Sequence, residues 1–124
     1  MTDKDMLKLC KQGINTWQNA FNNQDAAGCA ALYSEDCIME GKPLGTFTGR
    51  AEIQECWQNI IDQGFSDVTY ANVNWQPAQD GGFILTSSWE MNKAFGVVHS
   101  EHWLVEQDGK ARLQSDSFEI QGER

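Results

Sequence analysis

At 124 residues, 40% hydrophobic and 22% charged, the chain has the composition of one globular domain, spanning residues 1–124, that can bury a real core but not split in two. Eighteen acidic against nine basic side chains leave a net charge of −9; the basic residues form no run, which argues against a nucleic-acid partner. No apolar run approaches the roughly 20 residues that span a bilayer, and Met1-Thr2-Asp3-Lys4-Asp5 lacks the layout of a signal peptide, so no membrane partner and a cytoplasmic location are expected.

Between Asp3 and Asn23 the apolar residues Met6, Cys10, Ile14, Trp17 and Phe21 step by four, four, three and four, the spacing of one helix face. Asn22-Asn23-Gln24 breaks this helix, and Asp25 is a good N-cap for a second, shorter one ending near Tyr33. Cys37-Ile38-Met39-Glu40 reads as a short strand, and Gly41 to Gly49, with Pro43 and Gly45, as a loop. Arg50 to Gln63 is a third helix on the spacing of Ile53, Cys56, Trp57, Ile60 and Ile61, stopped by Gly64. Strands follow at Ser66–Gln76, Phe83–Met91, Val97–Val105 and Ala111–Ile120. The first slips parity between Tyr70 and Val73, the mark of a bulge, and Gln107-Asp108-Gly109-Lys110 is a strong hairpin turn. The tail Gln121–Arg124 is expected to fray. Cys10, Cys29, Cys37 and Cys56 match no zinc or redox spacing, and buried free thiols are expected.

Helices followed by a run of strands mean an α+β fold. Three amphipathic helices on one face of a curved antiparallel sheet leave a concave space, and the Val97–Val105 strand is its natural floor. In a regular strand Val97, His99, Glu101, Trp103 and Val105 share one side, and Val98, Ser100, His102 and Leu104 the other. The first set is the expected cavity face. The second, with His102, is the expected surface for a homodimer through the sheet. The same parity places Gln114, Asp116 and Phe118 of the last strand beside Glu101. His99, Glu101 and Asp116 are therefore the candidate catalytic group: buried carboxyls close together titrate apart, and a histidine bonded to one can act as base or orienter. Trp17, Phe21, Tyr33, Met39, Trp57, Trp103, Gln114 and Phe118 are the candidate ligand wall. His99 and His102 face opposite ways, so no metal site is expected.

Particular words carry a family resemblance. Asn22-Asn23-Gln24-Asp25 precedes Ala31-Leu32-Tyr33-Ser34-Glu35-Asp36, Thr48-Gly49-Arg50-Ala51-Glu52-Ile53 opens the third helix, and Glu101-His102-Trp103 with Asp108-Gly109-Lys110 forms the late hairpin. Their order and spacing resemble the nuclear transport factor 2-like superfamily, with its ketosteroid isomerase and SnoaL-like branches. The resemblance implies a cystatin-like, cone-shaped α+β domain enclosing a pocket between helices and a curved antiparallel or mixed sheet, frequently dimeric, without fixing one activity. Carried over from ketosteroid isomerase, the oxyanion tyrosine's place falls at Trp17 and the protonated acid's at Glu101. The general base's place falls at Gly41, which has no side chain to serve. Limonene-epoxide hydrolase is similar in bridging two acids with an arginine, whose place here holds His99.

Three readings follow for the polar group: cofactor-independent acid–base chemistry (isomerase, dehydratase or hydrolase type) on a small apolar or aromatic molecule, passive binding or protein interaction by the same fold, or a purely structural hydrogen-bond network. Arg50 is expected at the surface of the third helix, and Arg112 as a solvated charge near the hairpin end.

Overall fold

Thr2 starts helix α1 (Asp3–Asn22) with a capping box: its hydroxyl accepts from the Asp5 amide while the Asp5 carboxylate takes the Thr2 amide. Cys10, Gly13, Ile14, Trp17 and Phe21 are the buried stripe of this helix. Asp25 caps α2 (Ala26–Ala30) by accepting from the Gly28 amide, and Gly64, at φ 90°, follows α3 (Gly49–Asp62) where a left-handed residue is needed. The computed structural model describes residues 1–124, and its strands are β1 (Tyr33–Lys42), β2 (Gly45–Thr48), β3 (Thr69–Pro77), β4 (Phe83–Glu90), β5 (Ala94–Val105) and β6 (Ala111–Glu123).

These strands form one six-stranded mixed sheet in the order β2-β1-β6-β5-β4-β3. Every neighbouring pair is antiparallel except β1 and β6, which run parallel. The α+β expectation therefore holds, with three corrections. The second helix stops at Ala30, because Tyr33 is already in the sheet opposite Leu113. The expected loop at 41–49 contains β2, which pairs back on β1 around Pro43. The tail does not fray before Glu123: Ala94 and Phe95 of β5 pair with Glu123 and Gly122. The parity slip in β3 is present, as a register shift between Ala71 and Asn74 with Asn72 at φ 55°.

Helix α1 lies against β5 and β6, and α3 against β1 and β2. Between these layers 24 buried residues form one core cluster, and all four cysteines are free and buried in it. Two glycines permit close approach in this core. A Cβ on Gly13 would stand 2.6 Å from Trp103 Cζ3, and one on Gly41 2.6 Å from Phe118 Cζ. No helix is long and apolar enough to cross a membrane.

The strands that carry the candidate site are not regular. In β5 the ladder passes from Val98↔Phe118 to Ser100↔Ser117 on one side, and from Val98↔Ser87 to Glu101↔Leu85 on the other. His99 is the extra residue of a bulge. In β6 the ladder passes from Ser115↔His102 to Leu113↔Trp103, so Gln114 is extra there. A bulge puts two consecutive residues on one side and reverses the alternation beyond it. Accordingly Ala94 and Val98 are buried before the first bulge, and Glu101 and Trp103 after it.

Candidate active site

Between the helices and the concave face of the sheet lies a cavity of about 130 Å³, close to the roughly 150 Å³ that holds a benzene ring in an engineered protein core. Thirteen of its sixteen lining residues are hydrophobic; the others are Gln63, Glu101 and Asp116, and no lysine, arginine or histidine lines it. Trp17 and Trp57, from α1 and α3, meet edge to face with ring centres 5.0 Å apart, and Trp57 stacks on Phe118 of β6 at 5.5 Å. These contacts make an aromatic wall of the kind that holds a flat apolar molecule. Leu44 and Gln63, both exposed, stand at the mouth beside half-buried Phe65.

Glu101 and Asp116 are partners across β5 and β6, 6% and 3% exposed. Asp116 Oδ2 accepts a hydrogen bond from the Tyr33 hydroxyl at 3.0 Å, and that hydroxyl accepts from Trp57 Nε1 at 3.2 Å. Glu101 Oε1 accepts only a long bond, 3.4 Å, from Trp103 Nε1. The two carboxyls are thus unequally supported. Burial, the charge of Asp116 and a hydrogen bond to Asp116 push Glu101 well above the carboxylate range. Burial raises Asp116 to about 7, held back by the bonds from Tyr33 and Glu101. Above about pH 7 the pair holds one proton, on Glu101, with the charge on Asp116. Asp116 Oδ1 is buried without a partner, and a proton on Glu101 is the kind of donor it lacks. Two indole N–H groups in the cavity wall, of Trp17 and Trp89, are also buried without a partner.

Other expected residues stand elsewhere. His99 does not share the face of Glu101: the bulge turns it outward, its side chain is 48% exposed, and Nε2 lies 2.8 Å from Glu119 Oε1. Gln114, the extra residue of the second bulge, bonds Glu106 and the Arg112 carbonyl in a polar surface groove, away from the cavity. Phe21, Tyr33, Met39 and Trp103 are completely buried but lie behind the cavity wall. Of that expected wall, Trp17, Trp57 and Phe118 face the space. His102 is half-buried, with Nε2 2.9 Å from Asp80 Oδ2. Arg50 is half-exposed and donates to the Tyr33 carbonyl, and Arg112 is held by Glu106 and Asp108. At Gly41 the structure supplies a reason for the missing base: the Phe118 ring fills the space.

Sequence reasoning missed Tyr70, Trp89 and Val98, which line the cavity from β3, β4 and β5. The regular alternation of Phe83, Leu85, Ser87 and Trp89 was the available signal for β4. Burial in the structure follows it residue by residue.

The model of the SnoaL-like domain family matches residues 14–112. No curated protein matches the chain. Among solved structures the chain is similar to ActVI-ORFA from Streptomyces coelicolor (17% identity, TM-score 0.78, covering 94% of this chain and 98% of that one). It is also similar to a ketosteroid isomerase-like protein from Erwinia carotovora atroseptica (15%, 0.77, 94% and 96%) and to nuclear transport factor 2 from Cryptosporidium parvum (16%, 0.74, 93% and 94%). At these identities the likeness is one of fold. The chain belongs to the SnoaL-like domain family, built on the α+β fold of nuclear transport factor 2.

Proposed function

We propose that the protein is a cofactor-independent acid–base catalyst acting on a small, uncharged, mostly apolar molecule, of the isomerase, dehydratase or hydrolase type. One observation carries this reading: two carboxyls at matched positions of neighbouring strands form the polar floor of an apolar, aromatic-walled cavity that no cationic side chain lines. A structural ion pair would bring a cation. Two acids without one share a proton, and a pair holding one proton contains an acid and a base at once.

Asp116 is the base and Glu101 the acid, because Tyr33 favours the ionised form of Asp116 while Glu101 has only the long Trp103 bond. Asp116 takes a proton from a carbon next to a carbonyl, and the electron pair moves toward the carbonyl oxygen. Glu101 then gives its proton to that oxygen, to another carbon, or to a departing hydroxyl. The pair ends with the one proton it began with, and transfer from Asp116 to Glu101 resets it. The absence of a cationic side chain from the wall disfavours anionic substrates, since Asp116 repels them at short range.

Proton abstraction is read without knowing the natural substrate. In D₂O, with phenylacetone as carbon acid, the protein should exchange the α-protons for deuterium, followed by NMR. Asp116→Asn should reduce the exchange to the uncatalysed rate while keeping its circular dichroism spectrum. Exchange that persists in Asp116→Asn would remove Asp116 as the base.

A further inference from the structure

Resting on the acid–base reading, we propose that Tyr70 is a further catalytic residue, donating its hydroxyl hydrogen to the substrate oxygen on which negative charge develops. The two tyrosines of the chain are placed differently. The hydroxyl of Tyr33 is fully engaged, donating to Asp116 and accepting from Trp57. Tyr70 lines the cavity that holds Glu101 and Asp116, and its hydroxyl takes no part in the hydrogen bonds that tie Tyr33, Trp57, Trp103 and the two carboxyls together.

The local backbone explains the position. Thr69, Tyr70 and Ala71 pair with Glu90, Trp89 and Ser88, and directly afterwards the ladder shifts, with Asn72 at φ 55°. The ladder before the bulge holds Tyr70 opposite Trp89, and both residues reach the cavity. Beyond the bulge the strand turns to the outside, where Val73 and Trp75 line a groove against α1. The ring of Tyr70 forms part of the wall between groove and cavity. A phenylalanine would serve as well for that wall; the hydroxyl is what needs another account.

A phenol facing an apolar cavity loses its water partners, and the loss is repaired only by a ligand or an ordered water. Burial and the charges of Glu101 and Asp116 push the Tyr70 hydroxyl well above its ordinary 10, so it stays protonated and keeps a hydrogen to donate. When Asp116 takes a carbon proton, the electron pair arrives on the carbonyl oxygen. Tyr70 joins Glu101 and the unpartnered indoles of Trp17 and Trp89 as a neutral donor in the wall able to meet it, and Tyr70 keeps its proton throughout. A donor that bonds more strongly to an enolate than to a ketone lowers the barrier more than it tightens binding.

Acetophenone and ethylbenzene, alike in shape but with and without a carbonyl oxygen, separate a donor from a wall. Their binding is followed by quenching of tryptophan fluorescence in the wild type and in Tyr70→Phe. The variant should lose roughly fivefold in acetophenone affinity and nothing for ethylbenzene. It should also slow phenylacetone exchange by a larger factor than it weakens phenylacetone binding. Equal losses for both probes, or no loss, would make Tyr70 a wall residue and overturn the proposal. Asp116→Asn would still test the acid–base reading on its own. Failure of both probes to bind the wild type overturns the proposal together with the pocket it depends on.

Discussion

Asp116 carries a free-energy cost whose size and pH dependence follow from where the chain has put it. Burial raises its pKa from an ordinary 3.8 to about 7. In the unfolded chain the carboxyl loses its proton near the lower value, while the folded chain holds it up to the higher one. Between the two the unfolded state binds fewer protons, so this group's contribution to stability falls as pH rises, from about 4 to about 7, and is flat above. At roughly 1.4 kcal/mol per pH unit, the full cost is roughly 4 kcal/mol. Asp116→Asn removes the ionisation and keeps an oxygen that accepts from Tyr33. Urea unfolding followed by tryptophan fluorescence, at constant ionic strength, should find the variant and the wild type similar at pH 4. The variant should then gain progressively, to a lead on the order of 4 kcal/mol by pH 8, or about 15 °C in Tm. Comparing the two proteins at each pH cancels the other carboxylates, including Asp80 and Asp108, whose shifts run the opposite way. A constant difference across that range would refute the placement of an ionisable Asp116 in an apolar interior.

The other predictions concern its neighbours. Tyr33→Phe removes the hydrogen bond that holds Asp116 down; the pH at which the base becomes active should move upward, read from the acid limb of phenylacetone exchange, with a stability loss of about 1 kcal/mol. Gly41→Ala sets a methyl 2.6 Å from Phe118 Cζ and should cost about 1–3 kcal/mol by overpacking, with weakened ethylbenzene binding because Phe118 is the wall that must move. His99→Ala should change stability by no more than about 0.5 kcal/mol and leave the exchange pH profile where it was, since His99 pairs with Glu119 on the outside; a moved profile would return the histidine to the site.

Much of the fold was legible because the helices obey one simple rule each. The stripes of α1 and α3 are buried apart from Met6 and Ile60, which are half-buried, and Asp25 and Gly64 mark the breaks where they were expected. The strand β1 was underestimated because Glu35 and Asp36, side by side and exposed, look like a turn when read without the neighbours that flank them. Glu101 and Asp116 line the cavity, but the polar residues chosen with them, His99 and Gln114, do not. Regular alternation assigns His99 to the side of Glu101 and Gln114 to the side of Asp116, and each is the extra residue of a bulge. A warning was present in β6: regular alternation would turn Leu113 outward, and Leu113 is completely buried. In β5 the neighbouring Val97 and Val98 carry no such warning, since either valine can face the core.

The two bulges bear on the chemistry as well as on the reading. Strand β5 must turn Ala94 and Val98 inward at one end and Glu101 and Trp103 inward at the other. An unbroken strand of this sequence cannot do both: with Val98 inward, Glu101 would face out. The extra residue His99 resolves the conflict, and Gln114 does the same in β6 for Leu113 and Asp116. Both acids reach the apolar side only because each strand changes parity next to them, and a bulge also bends its strand, which deepens the concave face. The placement costs stability, since a buried acid opposite another acid is worse than an apolar pair. Glu101 and Asp116 are nevertheless held there by an irregularity in each strand, a defect in the ladder that the proposed acid–base role would account for.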